Sequence, residues 1–330
     1  MTNSIKGVNH THSKLFVMRN NIPIAVTSRS FSANPILRAV LLERYSDVLF
    51  NERAVSMSGE TLVQFAHGRR KLIIGLERLD EDVLAALPEL EVVSKYGVGT
   101  DTIDMAAMAR RGVRLGWTGG VNRRSVAELA IAFMISLLRH IPLVSRELRE
   151  GIWNNRKGRQ LSDRTVGIIG CGHIGKDLAG MLRAFGCRVL VNDILEFPEF
   201  YAAHQLEPVG VEDLLRRADI VTLHVPLDNS TRNILSADRL GLMKSDALLI
   251  NTARGELVDE GALKNMLKNG RLAGAAFDVF SSEPPQDLDL LRLPNFLATP
   301  HIGGSAEEAI LAMGRAAIDG LDNNALPVPK

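Results

Sequence analysis

The stretch that decides the fold is residues 165–175, T-V-G-I-I-G-C-G-H-I-G. Five β-prone, mostly apolar residues lead into a G-x-G-x-x-G, and a helical pattern over 176–185 (KDLAGMLRAF) follows at once. In such a strand–turn–helix unit each glycine has its own task. Gly170 permits the tight turn, Gly172 lets the backbone approach a pyrophosphate, and Gly175 lets helix and strand pack closely. The helix start, at His173 and Ile174, offers unpaired N–H groups and a partial positive charge to phosphate. The next apolar run, 187–193 (CRVLVND), ends in Asp193, eighteen residues beyond Gly175, where an acid is expected to hold the ribose hydroxyls. A carboxylate there repels a 2′-phosphate, so the expected cofactor is NAD rather than NADP. An ordinary glycine turn beside a solvated aspartate would explain the hexapeptide alone, but not strand, helix and acid together.

Working outward, short β-rich runs alternate with helical patterns along the whole chain. Residues 165–169, 188–192, 220–224, 247–251, 274–278 and 296–299 read as one set of strands. Residues 23–27, 72–75 and 91–94 read as another, with helices over 35–45 and 81–87 between them. Continuous apolar strands such as VGII and ALLI fit parallel sheets covered on both faces. Two longer helices, 125 to about 139 and 306 to about 320, frame the second set. The expected architecture is α/β, with two Rossmann-like or flavodoxin-like parallel-sheet domains. A nucleotide-binding domain (119–304) is inserted into a discontinuous substrate domain (1–118 and 305–330), and the two long helices form the hinge beside the cleft.

With 330 residues, 46% of them apolar, each domain can bury a core of its own. A net charge of +1 argues against a nucleic-acid or polyanion binder. The longest greasy run, 129–138, is about half the ~20 residues needed to span a bilayer, so a buried helix explains it better. Residues 1–20 are polar and lack the apolar core of a signal peptide, which suggests a frayed lead-in carrying His10 and His12. Cys171 and Cys187 read as free thiols of a reducing compartment, with the cytoplasm as the default. The eight histidines and two cysteines show no metal-ligand spacing, and no metal is expected.

Three polar segments follow the later strands, where open α/β sheets build their sites. Arg254 lies just past one strand, in 248–260 (LLINTARGELVDE). A guanidinium can grip a carboxylate through two hydrogen bonds while polarising the neighbouring carbonyl. Asp278 ends another strand, with Glu283 five residues on before a double proline. His301 follows a third strand and precedes Gly303 and Gly304. Reducing a 2-oxo acid needs a proton donor at the carbonyl oxygen, and histidine titrates in the right range. Glu283 is the candidate to hold the far ring nitrogen. Singly, each residue reads as a surface ion pair or a hydrogen-bonded spectator; the three together carry the chemistry.

The chain resembles the D-isomer-specific 2-hydroxyacid dehydrogenases, a family that includes phosphoglycerate, glycerate/glyoxylate and D-lactate dehydrogenases. The similarity runs from about residue 72 to 305. It is carried by KYGVGTDTID (95–104), VAELAI (126–131), TVGIIGCGHIGKDLA (165–179) and HVPLDNSTRNIL (224–235). The matches continue through MKSDALLINTARGELVDE (243–260), GAAFDVFSSEPP (274–285) and TPHIGG (299–304). The resemblance implies that Arg254 binds and polarises the 2-oxo acid, that His301 is the acid/base and that Glu283 is its partner. It implies that the Val98–Gly99 backbone receives the substrate carboxylate; Tyr96 and Trp117 read, from the residues themselves, as pocket-lining or as packing. Cofactor contacts are implied for His173, Ile174, His224, Pro226, Thr231, Thr252, Ala253, Arg254, Asp278, His301 and Gly303. A homodimer is implied, with residues 119–160, including Trp153, as the contact arm.

Two departures touch the substrate side: Thr102 stands where the family commonly has asparagine, and 118–120 is T-G-G in place of T-P-G. Arg78 sits where phosphoglycerate-type relatives can carry a phosphate-binding arginine, and Arg123 and Arg124 open the hinge helix. They suggest a phosphorylated or otherwise anionic substrate such as 3-phosphoglycerate, against the plainer reading of solvated surface charge. With nothing after residue 330, the expected form is a short one without a regulatory domain. The alternatives are a phosphite-type dehydrogenase, or a non-catalytic NAD-sensing protein of the corepressor kind with the same fold.

Overall fold

The computed structural model describes residues 19–328, so the expectations for residues 1–18, including those for His10 and His12, lie outside it. The first sheet is built from β1 (Ile24–Val26), β2 (Val48–Phe50), β3 (Lys71–Ile74), β4 (Val92–Lys95) and β5 (Arg114–Gly116). All its pairings are parallel, in the order β2-β1-β3-β4-β5. The second sheet holds β6 (Thr165–Ile169), β7 (Arg188–Asn192), β8 (Glu207–Pro208), β9 (Ile220–Leu223), β10 (Leu248–Asn251), β11 (Gly274–Phe277) and β12 (Phe296–Ala298). Its seven parallel strands run β12-β11-β10-β9-β6-β7-β8.

The central strands β9, β10 and β11 are buried at every residue, as strands covered on both faces must be. Each sheet accordingly separates two hydrophobic clusters. Around the second sheet, Leu223, Leu249 and Phe277 belong to one cluster and Val166, Ile168 and Ile250 to the other. The chain order reverses between β6 and β9, making the carboxyl ends of these neighbours the switch point where a crevice opens.

Two long helices take opposite allegiances. Arg123–Leu138 buries Ala127, Ala130, Ile131, Phe133 and Met134 against the second sheet. Glu307–Gly320 turns Met313, Ala317 and Ile318 onto the first sheet, beside Ile24, Val26 and Ile73. This return of the tail depends on small residues. A Cβ at Gly314 would lie 2.3 Å from Leu37, and one at Gly116 would lie 2.1 Å from the Gly320 carbonyl oxygen. Leu115 and Ala325 then pair across an antiparallel bridge.

Three strands were not legible in the sequence: β2, β5 and β8. They lie at sheet edges and are only two or three residues long, too short for a periodic signal. The helix expected from residue 125 begins two residues earlier, at Arg123. Among the described residues no single helix is long and apolar enough to cross a membrane. Both cysteines are buried and unpaired, and burial pushes each thiol up to about 11.

Candidate active site

The glycine turn after β6 behaves as its spacing implies. Gly170 has φ +101°, and a Cβ there would lie 2.6 Å from the carbonyl carbon of His224 at the end of β9. A Cβ at Gly175 would lie 2.1 Å from the Gly170 carbonyl oxygen, so helix and strand touch backbone to backbone. Gly172 faces open space, with nothing within 4 Å of a Cβ. The helix His173–Ala184 starts there, with His173 exposed, Ile174 half-buried and Gly175 buried. The His173 ring lies against Gly119 and Gly120. Asp193 bends back to this turn: its carboxylate accepts from the Cys171 N–H at 2.6 Å and the Leu195 N–H at 2.9 Å.

Two buried polar atoms beside the turn have no partner, His224 Nδ1 and Thr252 Oγ1, at the carboxyl ends of β9 and β10. Burial pushes the His224 imidazole down to about 3, so it is neutral, with Nε2 2.9 Å from Thr222 Oγ1. Unpartnered buried atoms are costly, and a dinucleotide in the crevice would supply what they lack. The glycine cradle, the open Gly172 face and these two atoms fit NAD. Thr231 closes its own turn by donating to the Pro226 carbonyl at 2.7 Å, and the Ala253 N–H donates to Asn251 at 3.1 Å.

His301 and Glu283, far apart in any linear reading, meet as expected: Nδ1 lies 2.8 Å from Oε2. The other carboxylate oxygen of Glu283 accepts the Phe280 N–H at 3.2 Å. Burial alone would raise the Glu283 carboxyl. The hydrogen bond and charge of His301, the Phe280 N–H and the charge of Arg254 together hold it below its usual value. With Nδ1–H donated to Glu283, Nε2 is the nitrogen left to exchange a proton.

His301 sits in the left-handed region, φ +57°, which a non-glycine residue adopts only when its surroundings impose it. Asp278 imposes it. Its buried carboxylate accepts from the Thr299 hydroxyl and from the N–H groups of Ile302 and Gly303, both at 2.7 Å. Its carbonyl accepts the His301 N–H at 2.9 Å. Asp278, expected near the nicotinamide amide and the catalytic histidine, anchors the histidine loop through its carboxylate. Ser125, in the first turn of the Arg123–Leu138 helix, donates to the Gly303 carbonyl at 2.6 Å, joining helix to loop.

Across the cleft stands the turn after β4. The N–H groups of Val98 and Gly99 donate to no acceptor among the described residues. The Arg254 guanidinium lies directly on this turn: a Cβ at Gly99 would be 1.9 Å from Nη2. Asp101 holds the guanidinium from the same turn, accepting from Nη2 at 2.6 Å and Nε at 3.2 Å. Tyr96 is buried edge-to-face on Phe31, 5.5 Å between centroids, with packing as its evident role. Trp117 donates to the Val98 carbonyl at 3.0 Å.

The arginines expected to clamp an anionic substrate are not assembled here. Arg78 is 78% exposed and paired with Asp80 at 3.5 Å. Arg124 is paired with Asp177 at 2.7 Å, and Arg123 donates to the Gly120 carbonyl. The cation that does approach is Lys95, at the end of β4. Burial pushes its amine down to about 8, against the charges of Glu77 and Asp101 and with that of Arg254. Lys95 and Asp101 were missed in the sequence, although both lie in KYGVGTDTID. Their significance rests on Arg254, which is 153 residues from Asp101 along the chain. Asn122 was also missed; it is buried beside Gly304 with its Oδ1 unpartnered. Thr102 buries an unpartnered hydroxyl on the same turn as Asp101.

Comparison with known proteins gives a consistent picture. The sequence model described as D-isomer specific 2-hydroxyacid dehydrogenase, NAD binding domain, matches residues 131–303. A hydroxypyruvate reductase of Thermotoga maritima is 37% identical over 242 residues, covering 72% of this chain and 78% of that protein. A D-3-phosphoglycerate dehydrogenase of Methanocaldococcus jannaschii is 36% identical over 283 residues, covering 83% of this chain and 52% of that protein. The chain thus spans about half the length of the phosphoglycerate dehydrogenases it matches. The solved structure of a pyruvate reductase of Chlamydomonas reinhardtii superposes with a TM-score of 0.79 at 26% identity, covering 92% of this chain and 96% of that one.

Proposed function

The chain belongs to the D-isomer specific 2-hydroxyacid dehydrogenase family, and on that premise we propose that it interconverts a small D-2-hydroxy acid and its 2-oxo acid with NAD. One observation carries the reading: a histidine hydrogen-bonded to a carboxylate, His301 with Glu283 at 2.8 Å, lies within charge range of an arginine seated on open backbone amides. A nicotinamide cofactor held in the crevice would supply the hydride chemistry at C2, NADH as donor to the 2-oxo acid and NAD+ as acceptor from the 2-hydroxy acid. The rest is the work of the chain's own groups.

The substrate carboxylate is received by the Val98 and Gly99 N–H groups and by Arg254, an anion held by oriented dipoles and a fixed charge. Arg254 also draws electron density from the 2-oxo oxygen, stabilising the negative charge that develops there. In reduction, His301 Nε2 delivers the proton to that oxygen; in oxidation it removes the proton from the hydroxyl. Glu283 keeps Nδ1 protonated and stabilises the imidazolium. The 299–303 loop, anchored on Asp278, keeps the ring from wandering between turnovers.

Asp193, beside the glycine turn, supports NAD over NADP through its charge. The arm at 141–153 supports a homodimer: Ile141, Leu148, Ile152 and Trp153 are all exposed, and the helix Ile141–Arg149 buries none of its residues. Such an apolar face on a helix of this kind is the mark of a partner surface. Two buried free thiols suit a reducing compartment, and we assign the protein to the cytoplasm.

The test is NADH oxidation, run beside NADPH, with glyoxylate, hydroxypyruvate, pyruvate, 2-oxoglutarate, phosphohydroxypyruvate and branched 2-oxo acids. Turnover of at least one with NADH preferred is expected. If none is reduced while NADH still binds, the assignment as a dehydrogenase is wrong.

A further inference from the structure

Arg254 projects from the loop after β10, in the second sheet, whereas Asp101 belongs to the turn after β4, in the first. Their ion pair therefore crosses the cleft. The contact is bidentate, Nη2 to Oδ1 at 2.6 Å and Nε to Oδ2 at 3.2 Å, and it is partly buried, the two side chains being 27% and 29% exposed. A third guanidinium bond, from Nη1 to the Ala253 carbonyl at 2.7 Å, holds the opposite side. A guanidinium has five N–H donors in one plane. Three are committed, which leaves one on each terminal nitrogen, side by side at the end of the fork.

That remaining pair is what a carboxylate or a carboxylate-plus-carbonyl needs, and the Gly99 backbone lies against it. We propose that Asp101 is the positioning residue of Arg254: reaching across the cleft, it fixes the guanidinium plane so that its two free donors face the substrate only when the domains are closed. The proposal rests on the dehydrogenase reading for what the donors bind, but not for the contact itself. It gives Arg254 what Glu283 gives His301, with one difference. Glu283 and His301 sit on the same sheet, so their pair persists when the cleft opens. The Asp101–Arg254 pair breaks on opening, so closure itself completes the anion-binding end of the site.

Asp101 stays ionised in this setting. Burial would raise its carboxyl, but the hydrogen bonds and charge of Arg254, its own backbone N–H and the charge of Lys95 hold it below its usual value. Replacing it with asparagine keeps the size and removes the charge and one of the two acceptors.

The experiment uses the full chain and two readouts. The first is the side-chain Nε–H signal of Arg254 in a 1H–15N NMR spectrum with NADH present, identified by its loss in Arg254→Gln. A protected signal is expected in the wild type and its loss in Asp101→Asn; an unchanged signal in Asp101→Asn overturns the proposal. The second is a double-mutant cycle on the best 2-oxo acid of the panel. Asp101→Asn should lower kcat/KM on the order of tenfold to a hundredfold, with NADH affinity and thermal midpoint near wild type. In the Arg254→Gln background the same change should cost less than about twofold. Equal losses in both backgrounds would mean that Asp101 acts independently of Arg254. A lower KM in Asp101→Asn would mean that it competes with substrate; either result overturns the proposal. Absence of turnover in the wild type, with the NMR result as expected, would refute the dehydrogenase reading and leave the positioning contact standing.

Discussion

Gly99→Ala isolates the seat of Arg254 with a single methyl group. The backbone at Gly99 is not left-handed, so alanine meets no conformational penalty there and crowding is the whole effect. The new Cβ would start 1.9 Å from Arg254 Nη2, 3.2 Å from its Cζ and 3.0 Å from Asp101 Oδ1. Ordinary contact begins near 3.4 Å, so the guanidinium must retreat by about 1.5 Å. Misplacing a reacting or binding group by about 1 Å can cost roughly a hundredfold in rate, or about 2.7 kcal/mol of transition-state stabilisation. Steady-state kinetics on the preferred 2-oxo acid should therefore show kcat/KM falling on the order of a hundredfold. NADH affinity, set at the far end of the crevice, should stay put. The thermal midpoint should move little, because the side chain that yields is long and partly exposed. A variant within about threefold of wild type would refute the claim that Arg254 works from the Gly99 turn.

Further expectations follow from the same structure. Glu283→Gln should lower kcat about a hundredfold without weakening NADH binding, read by stopped-flow and fluorescence titration. Because the folded Glu283 carboxyl lies below 4.5, its pairing stabilises fully above about pH 4.5 and fades as pH falls through the folded value; melts against pH should show this acid-side loss in wild type and not in Glu283→Gln. Lys95 has the same sign in a higher window, though from a different cause: burial lowers its amine from 10.5 to about 8, so the folded state carries fewer protons than the unfolded between those values. Stability should rise with pH across that window, and denaturant titrations of Lys95→Met should lack the rise. Trp153, 87% exposed on the arm, should be central to the dimer, so Trp153→Glu should sediment as a monomer at concentrations where the wild type does not.

The nucleotide end of the site was readable because its determinants are local. Gly170, Gly172, Gly175 and Asp193 act within one strand–turn–helix–strand unit, where spacing alone fixes geometry. Arg254, Glu283 and His301 were readable for a related reason: each follows a strand, and parallel strands bring their carboxyl ends to one edge. The surroundings of Arg78 were not. Whether an arginine one residue past a glutamate faces the cleft or the solvent depends on how its turn packs. The hold of Asp278 on the Ile302 and Gly303 N–H groups likewise joins segments that spacing alone does not bring together.

By itself the sequence determined what repeats or stays near: two sets of parallel strands, apolar on both faces, the dinucleotide turn, and the residues able to move a proton. The tertiary structure decided what depends on distant segments meeting. The tail helix returns to the first sheet because Gly314 and Gly116 let it come close. Lys95 becomes a buried cation only once β4 is covered. Asp101 acquires a purpose only when a guanidinium 153 residues away is laid against its turn. Spacing along the chain encodes the first kind of information; the second exists only as packing, where a few ångströms between elements select which charge meets which.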